Sequence, residues 1–405
     1  MENLLLFTLA AIQFTHIMDY MIMMPLGSHL MRVFNINPAQ FSWLVAVYSL
    51  AAAVTGFLGG FLVDRLDRKH ALLVLYAGFS VATLGCALAP NYHILLGMRF
   101  LAGAFGGVAS SVVVAMVGDV VPAVRRGAAM GVVMTAFPLA SVLGVPVGLS
   151  LGHVFEWHAP FFMLSAMSLV IGLVGWRILP SLPRHPEAAR PWKQMRAILS
   201  HPVHHRGFML SATLVFAGGC VIPFMAPSMV TNVGLTEGQL PLIYVAGGAC
   251  TFFSTRWFGR LSDRHDKLHV LGWISLVAVA AVLMLTNLPV VPVPVALVVT
   301  SVFMVSMSGR FTPAMTMISN AVENRFRGGF MSVNSAIQQA ASGLANTIAG
   351  FFITRTATGA LEGYGRVGLL SVVAFALTVY LAARLRAAAP HAAKPGLLIP
   401  AAVVD

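Results

Sequence analysis

Asp19 lies in an apolar stretch that opens near residue 4. On a helix it sits about 15 residues, or roughly 22 Å, from the start of that stretch. An ionised carboxylate in hydrocarbon is costly. Apolar surroundings favour the neutral acid and a neighbouring cation favours the carboxylate, so such a group can bind and release a proton as its access to water changes. Arg99 is the complementary cation in a second apolar stretch. It lies roughly 10 Å below one end of that stretch, and Asp19 roughly 16 Å below the same end of its own, close enough for an ion pair. We read Asp19 as a proton carrier and Arg99 as the cation that tunes it; the alternative is a fixed structural pair. His16, three residues before Asp19 on the same helical face, either shares the proton or is simply packed. Arg310 lies in a later apolar stretch, with Pro313 after it. An unpaired guanidinium at that depth is costly, so it attracts an anionic substrate, gates its path or counters an acid.

The chain around these residues is made for a bilayer. Of 405 residues, 58% are hydrophobic and 9% charged, and the mean hydropathy is +0.84. Soluble domains carry roughly 25% charged residues, so a water-soluble enzyme is excluded. Breaking the sequence at charges and Pro/Gly clusters gives apolar segments near 4–31, 41–63, 70–90, 92–118, 127–152 and 159–179. A polar stretch from Pro180 to Arg206 follows, then segments near 207–231, 240–262, 268–287, 290–320, 328–354 and 366–386. Each suits a membrane-spanning helix. The start carries Glu2 in place of a basic leader and stays apolar through Met31, so it reads as a retained first span. Cys86, Cys220 and Cys250 fall inside apolar segments and read as buried small hydrophobes.

Basic residues set the orientation. Twenty of the 25 Lys and Arg fall on one side of this arrangement, three (Arg32, Arg355 and Arg366) on the other, and Arg99 and Arg310 within spans. Both termini and the central loop are therefore expected in the cytoplasm, which requires an even number of spans. The formal charge of +12 thus reports topology, with no nucleic-acid partner expected. The halves also repeat: Gly60-Phe-Leu-Val-Asp64-Arg65-Leu-Asp67 and Gly259-Arg-Leu-Ser-Asp263-Arg264-His-Asp266 align at an offset of 199, and Arg126-Gly127 with Met130 aligns with Arg327-Gly328 and Met331 at 201. A duplicated six-span unit explains both offsets.

These residues make the whole chain resemble the major facilitator superfamily, in its twelve-span drug and sugar efflux branch of proton antiporters. The loop after span 2 is similar to the signature G-x-L-x-D-R-x-G-R-[RK], with Gly60, Leu62, Asp64, Arg65, Arg68 and Lys69 in place and Asp67 where the signature has a second Gly. Arg99 with Gly103 and Gly106-Gly107 resembles R-x-x-x-G-x-x-x-G, whose Arg the family associates with proton coupling. Gly144-Val-Pro146-Val-Gly148 looks like the antiporter motif in its sugar and arabinose efflux form, and Asp19 to Pro25 is similar to span 1 of drug antiporters. The resemblance implies an all-α membrane protein, with 12 transmembrane helices in two pseudo-symmetric six-helix bundles (the major facilitator fold). Spans 1, 4, 7 and 10 would line the cavity, bringing Asp19 and Arg99 to it.

Expected boundaries are a first bundle over 1–179, a cytoplasmic linker loop over 180–206, a second bundle over 207–390 and a cytoplasmic tail over 391–405. Gly60, Asp64, Arg65, Arg68, Asp119, Asp263 and Arg264 form an expected gating latch at the cytoplasmic ends, or else solvated charges that fix orientation. Asn320 replaces Asp119 in the second half, so the two latches are unequal. Gly144, Gly148 and Gly152 form a smooth stripe suited to close packing, with Gly247-Gly248 in span 8 as the opposite surface and Pro146 favouring a kink. Simple helix packing explains these glycines equally well.

The chain has 22 Met, including Met18, Met21, Met23 and Met24 in span 1. Flexible thioethers suit a pocket for apolar molecules, or fill core and lipid-facing positions. Tyr20, Met23, Tyr48, Phe137, Gln338 and Gln339 are cavity candidates by span. His201, His204 and His205 lack an acid or Cys beside them, so no metal is expected; the neighbouring Arg and Lys are placed for lipid headgroups. No nucleophile and base set and no phosphate loop occurs, so no enzyme activity and no cofactor are expected. The sequence reads as a monomeric inner-membrane transporter that exports a small amphiphilic or lipophilic molecule against protons. Proton-coupled uptake of a metabolite, or a non-transporting sensor, are the alternatives.

Overall fold

A computed structural model describes residues 2–63, 66–122, 125–181, 191–323, 326–356 and 359–394. Twelve spans appear in chain order. Span 1 is Glu2–Ile22 continued by Gly27–Val33, span 2 Pro38–Val63, span 3 Arg68–Ala87 and span 4 Tyr92–Val120. Span 5 runs from Arg126 to Val154 through several helical pieces, and span 6 is Ala159–Ile178. Span 7 is Pro202–Gly219 with Ile222–Thr231, span 8 Leu240–Arg264, span 9 Lys267–Thr286, span 10 Val293–Asn320, span 11 Arg327–Phe352 and span 12 Tyr364–Ala388. By length and composition, ten of these helical segments can cross a membrane. Span 8, with Arg256, Arg260, Asp263 and Arg264, and span 11, with Asn334, Gln338, Gln339 and Asn346, are more polar.

The spans start where local chemistry starts helices. Asn37 and Gln40 bond reciprocally ahead of span 2, side chain to backbone at 2.8 and 2.9 Å. Asn91 caps span 4 by accepting from the Ile94 amide at 3.0 Å. Pro160, Pro202, Pro241 and Pro294 occupy first-turn positions, where the missing N–H leaves no bond unmade. Asp67 and Asp266, 199 residues apart, do the same task in the two halves. Asp67 accepts from the His70 amide at 3.0 Å and caps span 3. Asp266 accepts from the Leu268 and His269 amides and caps span 9. Asp67 therefore replaces the signature glycine with a functional helix cap. Desolvation works against its charge, but hydrogen bonds from Ser181 and His70 outweigh it and hold the Asp67 carboxyl at about 2. Asp67→Ala is expected to cost about 1 kcal/mol, measured as a lowered unfolding midpoint. Asp266→Ala should cost more, because Asp266 also pairs with Arg386 of span 12 at 3.0 Å.

Two expectations change here. The linker, expected as loop to residue 206, holds a helix over Pro191–Ser200, and span 7 begins at Pro202. His201 makes the early start possible: its Nδ1 accepts from the Val203 amide at 3.3 Å. Ile198 is buried beside Phe208 and Phe330, and His204 Nδ1 lies 3.0 Å from the Ile198 carbonyl. Two of the three histidines considered for a metal thus join the linker helix to span 7. Cys86 and Cys220 are buried as expected, but Cys250 is exposed on span 8. Residues 182–190 of the linker, with Arg184 and Arg190, lie outside the described residues, as does the tail beyond Lys394.

The first helix of each half is broken. Span 1 turns at Met23 to Leu26 around Pro25, and span 7 at Cys220 and Val221 just before Pro223, because proline cannot donate to the ladder. Between halves, span 2 packs along span 11 and span 5 against span 8, and the second helices of spans 1 and 7 meet. The contact is close: a Cβ at Gly343 of span 11 would sit 2.6 Å from Leu50 Cγ of span 2.

Candidate functional site

The site grows from a crowded crossing of spans 1, 2, 3 and 4. Arg99 and Asp19 are both 0% exposed. Arg99 Nη1 donates to Asp19 Oδ2 at 2.6 Å and to the Asp19 carbonyl at 3.1 Å. Thr83 of span 3 donates to Asp19 Oδ1 at 3.4 Å. The guanidinium carbon stands 4.6 Å from the centre of the Tyr48 ring, on span 2. The pair expected from depth alone is therefore present, with each carboxylate oxygen bonded.

Glycines make the crossing close enough. A Cβ at Gly103 would lie 2.7 Å from Tyr48 Cα, a backbone atom that cannot swing aside. At Gly107 it would meet Ala52 Cα at 2.6 Å. Gly103→Ala should force spans 2 and 4 apart and shift Tyr48 from under Arg99. The expected loss is about 1–3 kcal/mol, read by thermal unfolding of the purified protein.

His16 is buried but makes no hydrogen bond with Asp19. Its ring packs edge-on against Phe79 and Tyr76, its Nδ1 lies 3.5 Å from Ser110 Oγ, and its carbonyl accepts from Tyr48 at 3.3 Å. Packing accounts for its place.

The cavity candidates divide. Tyr20 reaches the other half, its hydroxyl 2.9 Å from Ser342 Oγ of span 11, and its ring centre lies 5.5 Å from that of Tyr48. Gln338 Nε2 donates to Ser211 of span 7 at 2.7 Å, and Gln339 beside it is half-buried. Phe137 is largely exposed, whereas Met23 is wholly buried in the core. Arg310 is also buried, but it points between spans 9, 10 and 12. Its Nε donates to Ser275 at 3.2 Å and its guanidinium carbon lies 4.0 Å above the Phe375 ring. Arg310 thus sets its Nε on a hydroxyl and its flat face on an aromatic ring of its own half, while its buried Nη2 has no hydrogen-bond partner among the described residues.

The glycines of span 5 pack against span 1, not span 8. A Cβ at Gly144 would touch Met18 and Phe14, at Gly148 Ile22 and Met18, and at Gly152 Leu26. Span 8 meets span 5 through Ser141 and Val142, which lie against Gly248. Gly247 takes Met304 of span 10. Ahead of Pro146 the backbone widens into a π turn over Ala140–Gly144, which absorbs the bond that proline cannot make.

At the end of the bundle where Glu2 and Lys394 lie, called here the near end, Arg68 pairs with Asp119 of span 4 and Arg125 with Glu2 at 2.9 Å. Asp263 and Arg264 are exposed, and the Asn320 carbonyl, at the position matching Asp119, lies 3.1 Å from His391 Nε2. The halves therefore differ at this end. Asp64 and Arg65 lie outside the described residues, and of Gly60 only the backbone, within span 2, is described.

The far end holds a contact that sequence reasoning missed. Glu237, just before span 8, pairs with Arg32, accepts from Ser28 at 3.3 Å and lies 3.4 Å from His29 Nδ1. Ser28, His29 and Arg32 belong to the second helix of span 1, so this carboxylate ties the two halves together. The only local signal is the helix-start pattern Thr236 to Gln239 around it.

Comparison with known proteins gives the same architecture. The description Major Facilitator Superfamily matches residues 9–221 and 207–401. The uncharacterized MFS-type transporter YceJ of Bacillus subtilis (strain 168) is 26% identical over 369 residues, which is 90% of this chain and 91% of that protein. A bacterial homolog to the human lysosomal transporter Spinster, solved inward-facing and unoccupied, superimposes with a TM-score of 0.78 at 16% identity, over 97% of this chain and 98% of that one. A D-xylose-proton symporter does so with a TM-score of 0.75 at 17% identity, over 93% and 96%. These two structural likenesses are likenesses of fold. With both halves matched and twelve spans in place, the chain belongs to the major facilitator superfamily and is a multi-pass integral membrane transporter, not an enzyme.

Proposed function

We propose that the protein is a proton-coupled exporter of a small amphiphilic or lipophilic molecule, working as a monomer in the inner membrane with both termini in the cytoplasm. The observation that carries this reading is the Asp19–Arg99 pair, two fully buried charges 2.6 Å apart. A bilayer protein does not need such a pair to fold, since apolar residues of equal volume pack as well or better. Its cost is explained if Asp19 gains and loses a proton during the cycle. With the proton on, Asp19 no longer needs Arg99, and the guanidinium is free to settle on the Tyr48 ring. With the proton off, the pair re-forms.

Alternating exposure follows from ties at opposite ends. Glu237 holds the far end closed across the halves. At the near end Arg68 and Asp119 pair within the first half, and these charges exchange partners across the halves in the opposite state. The span 5 sequence Gly144-Val-Pro146, similar to sugar and arabinose exporters, favours export over uptake. The test is transport into lipid vesicles of reconstituted protein under an imposed gradient, with a fluorescent amphiphilic dye and a labelled sugar as probes. Protons leaving an acidic interior should drive probe inward, and an ionophore should abolish it. Accumulation in the same direction as proton flow would mean cotransport and reject export.

A further inference from the structure

We infer that Tyr20 and Ser342 carry the protonation state of Asp19 from the first half to the second. They act as positioning residues that touch neither proton nor substrate. The inference rests on the reading of Asp19 as proton carrier.

Four contacts run in series. Asp19 holds Arg99 at 2.6 Å, and Arg99 stands 4.6 Å from the Tyr48 ring centre. Tyr48 and Tyr20 are 5.5 Å apart ring to ring and tilted by 34°, and Tyr20 meets Ser342 across the interface at 2.9 Å. The first three links lie within one half. The last joins span 1 to span 11.

Ser342 is well placed to pass on a displacement. It sits where span 11 is clasped on two sides. Its neighbour Gly343 lies against Leu50 of span 2, and a Cβ on Gly219 of span 7 would come within 3.7 Å of Ser342 Cα. Gly219 is the last residue before the break in span 7. A change at Tyr20 therefore reaches both the junction of the halves and the bend in the first helix of the second half. Proton uptake at Asp19 frees Arg99 to move toward Tyr48, which crowds Tyr20 and loosens or reorients its bond to Ser342. Mutational coupling between Asp19, Tyr20 and Ser342 distinguishes transmission along these contacts from mere adjacency.

The experiment reads the far end directly. Cys250→Ala removes the one exposed cysteine, since Cys86 and Cys220 are buried. Val154→Cys and Val290→Cys, at positions 67% and 78% exposed, then take spin labels on the two halves, and the distance distribution gives the ratio of far-end-closed to far-end-open molecules. Asp19→Asn imitates the protonated acid and should change that ratio. In a Tyr20→Phe or Ser342→Ala background the change produced by Asp19→Asn should shrink about fivefold, the worth of one neutral hydrogen bond. The two backgrounds combined should do no more than either alone. Tyr48→Phe keeps the ring and should keep the response; its loss there would reject the route through the rings. An undiminished response in both Tyr20→Phe and Ser342→Ala overturns the inference and leaves the proton-carrier reading standing. If Asp19→Asn moves nothing in the otherwise unaltered chain, the proton-carrier reading falls, and the inference with it.

Discussion

Asp19→Asn is expected to abolish gradient-driven accumulation completely while leaving downhill exchange of the same substrate. The amide matches the protonated acid in size and polarity, so the variant should fold, with Arg99 released toward the Tyr48 ring as proton uptake would release it. The amide cannot take up or release a proton. The variant should behave as if permanently protonated: substrate equilibrates, and a pH difference no longer moves it. Pairing Asp19→Asn with Arg99→Gln removes the stranded cation as well. It should fold at least as well as Asp19→Asn alone and remain uncoupled, which separates loss of coupling from loss of fold. Proton-driven transport by either variant at normal expression would reject Asp19 as the carrier.

The second large effect is an asymmetry in stability. Breaking a buried pair leaves one charge uncompensated, at a cost of about 3–5 kcal/mol. The two partners differ in how they escape it. Arginine stays charged in proteins, so Asp19→Leu strands a cation with no way to become neutral and should show the full loss. Arg99→Met leaves a carboxyl that can neutralise itself by binding a proton, so its loss should be clearly smaller. Unfolding midpoints of the purified variants would show the order. An Arg99→Met protein less stable than Asp19→Leu would mean that Asp19 cannot take up a proton where it sits.

The parts of the structure legible in the sequence are those set by one-dimensional rules. Span boundaries follow from hydropathy, and span 2 from Pro38 to Val63 or span 9 from Lys267 to Thr286 begin within a few residues of the expected positions because helix caps and charges mark them. The Asp19–Arg99 pair was legible because two charges at similar depth in hydrocarbon have few other ways to be satisfied. What escaped depends on which helix faces which. The stripe Gly144, Gly148 and Gly152 announces close packing, but no residue in span 5 says that its partner is span 1. Arg310 announces a buried cation, yet its direction depends on Ser275 and Phe375, which reach it only in the folded bundle. The tie at Glu237 joins residues more than 200 positions apart, with one capping pattern as its local trace. The linker helix over Pro191–Ser200 escaped because its apolar residues are few, and Ile198 finds its core only when span 11 packs beside it.

The central claim is that Asp19 changes protonation during the working cycle, and infrared difference spectroscopy of the reconstituted protein tests it most directly. A protonated carboxyl stretch that is absent from Asp19→Asn should appear and disappear as pH is stepped, and substrate should shift its titration. A carboxylate that stays ionised under every condition, or an acid that never ionises, would contradict the account.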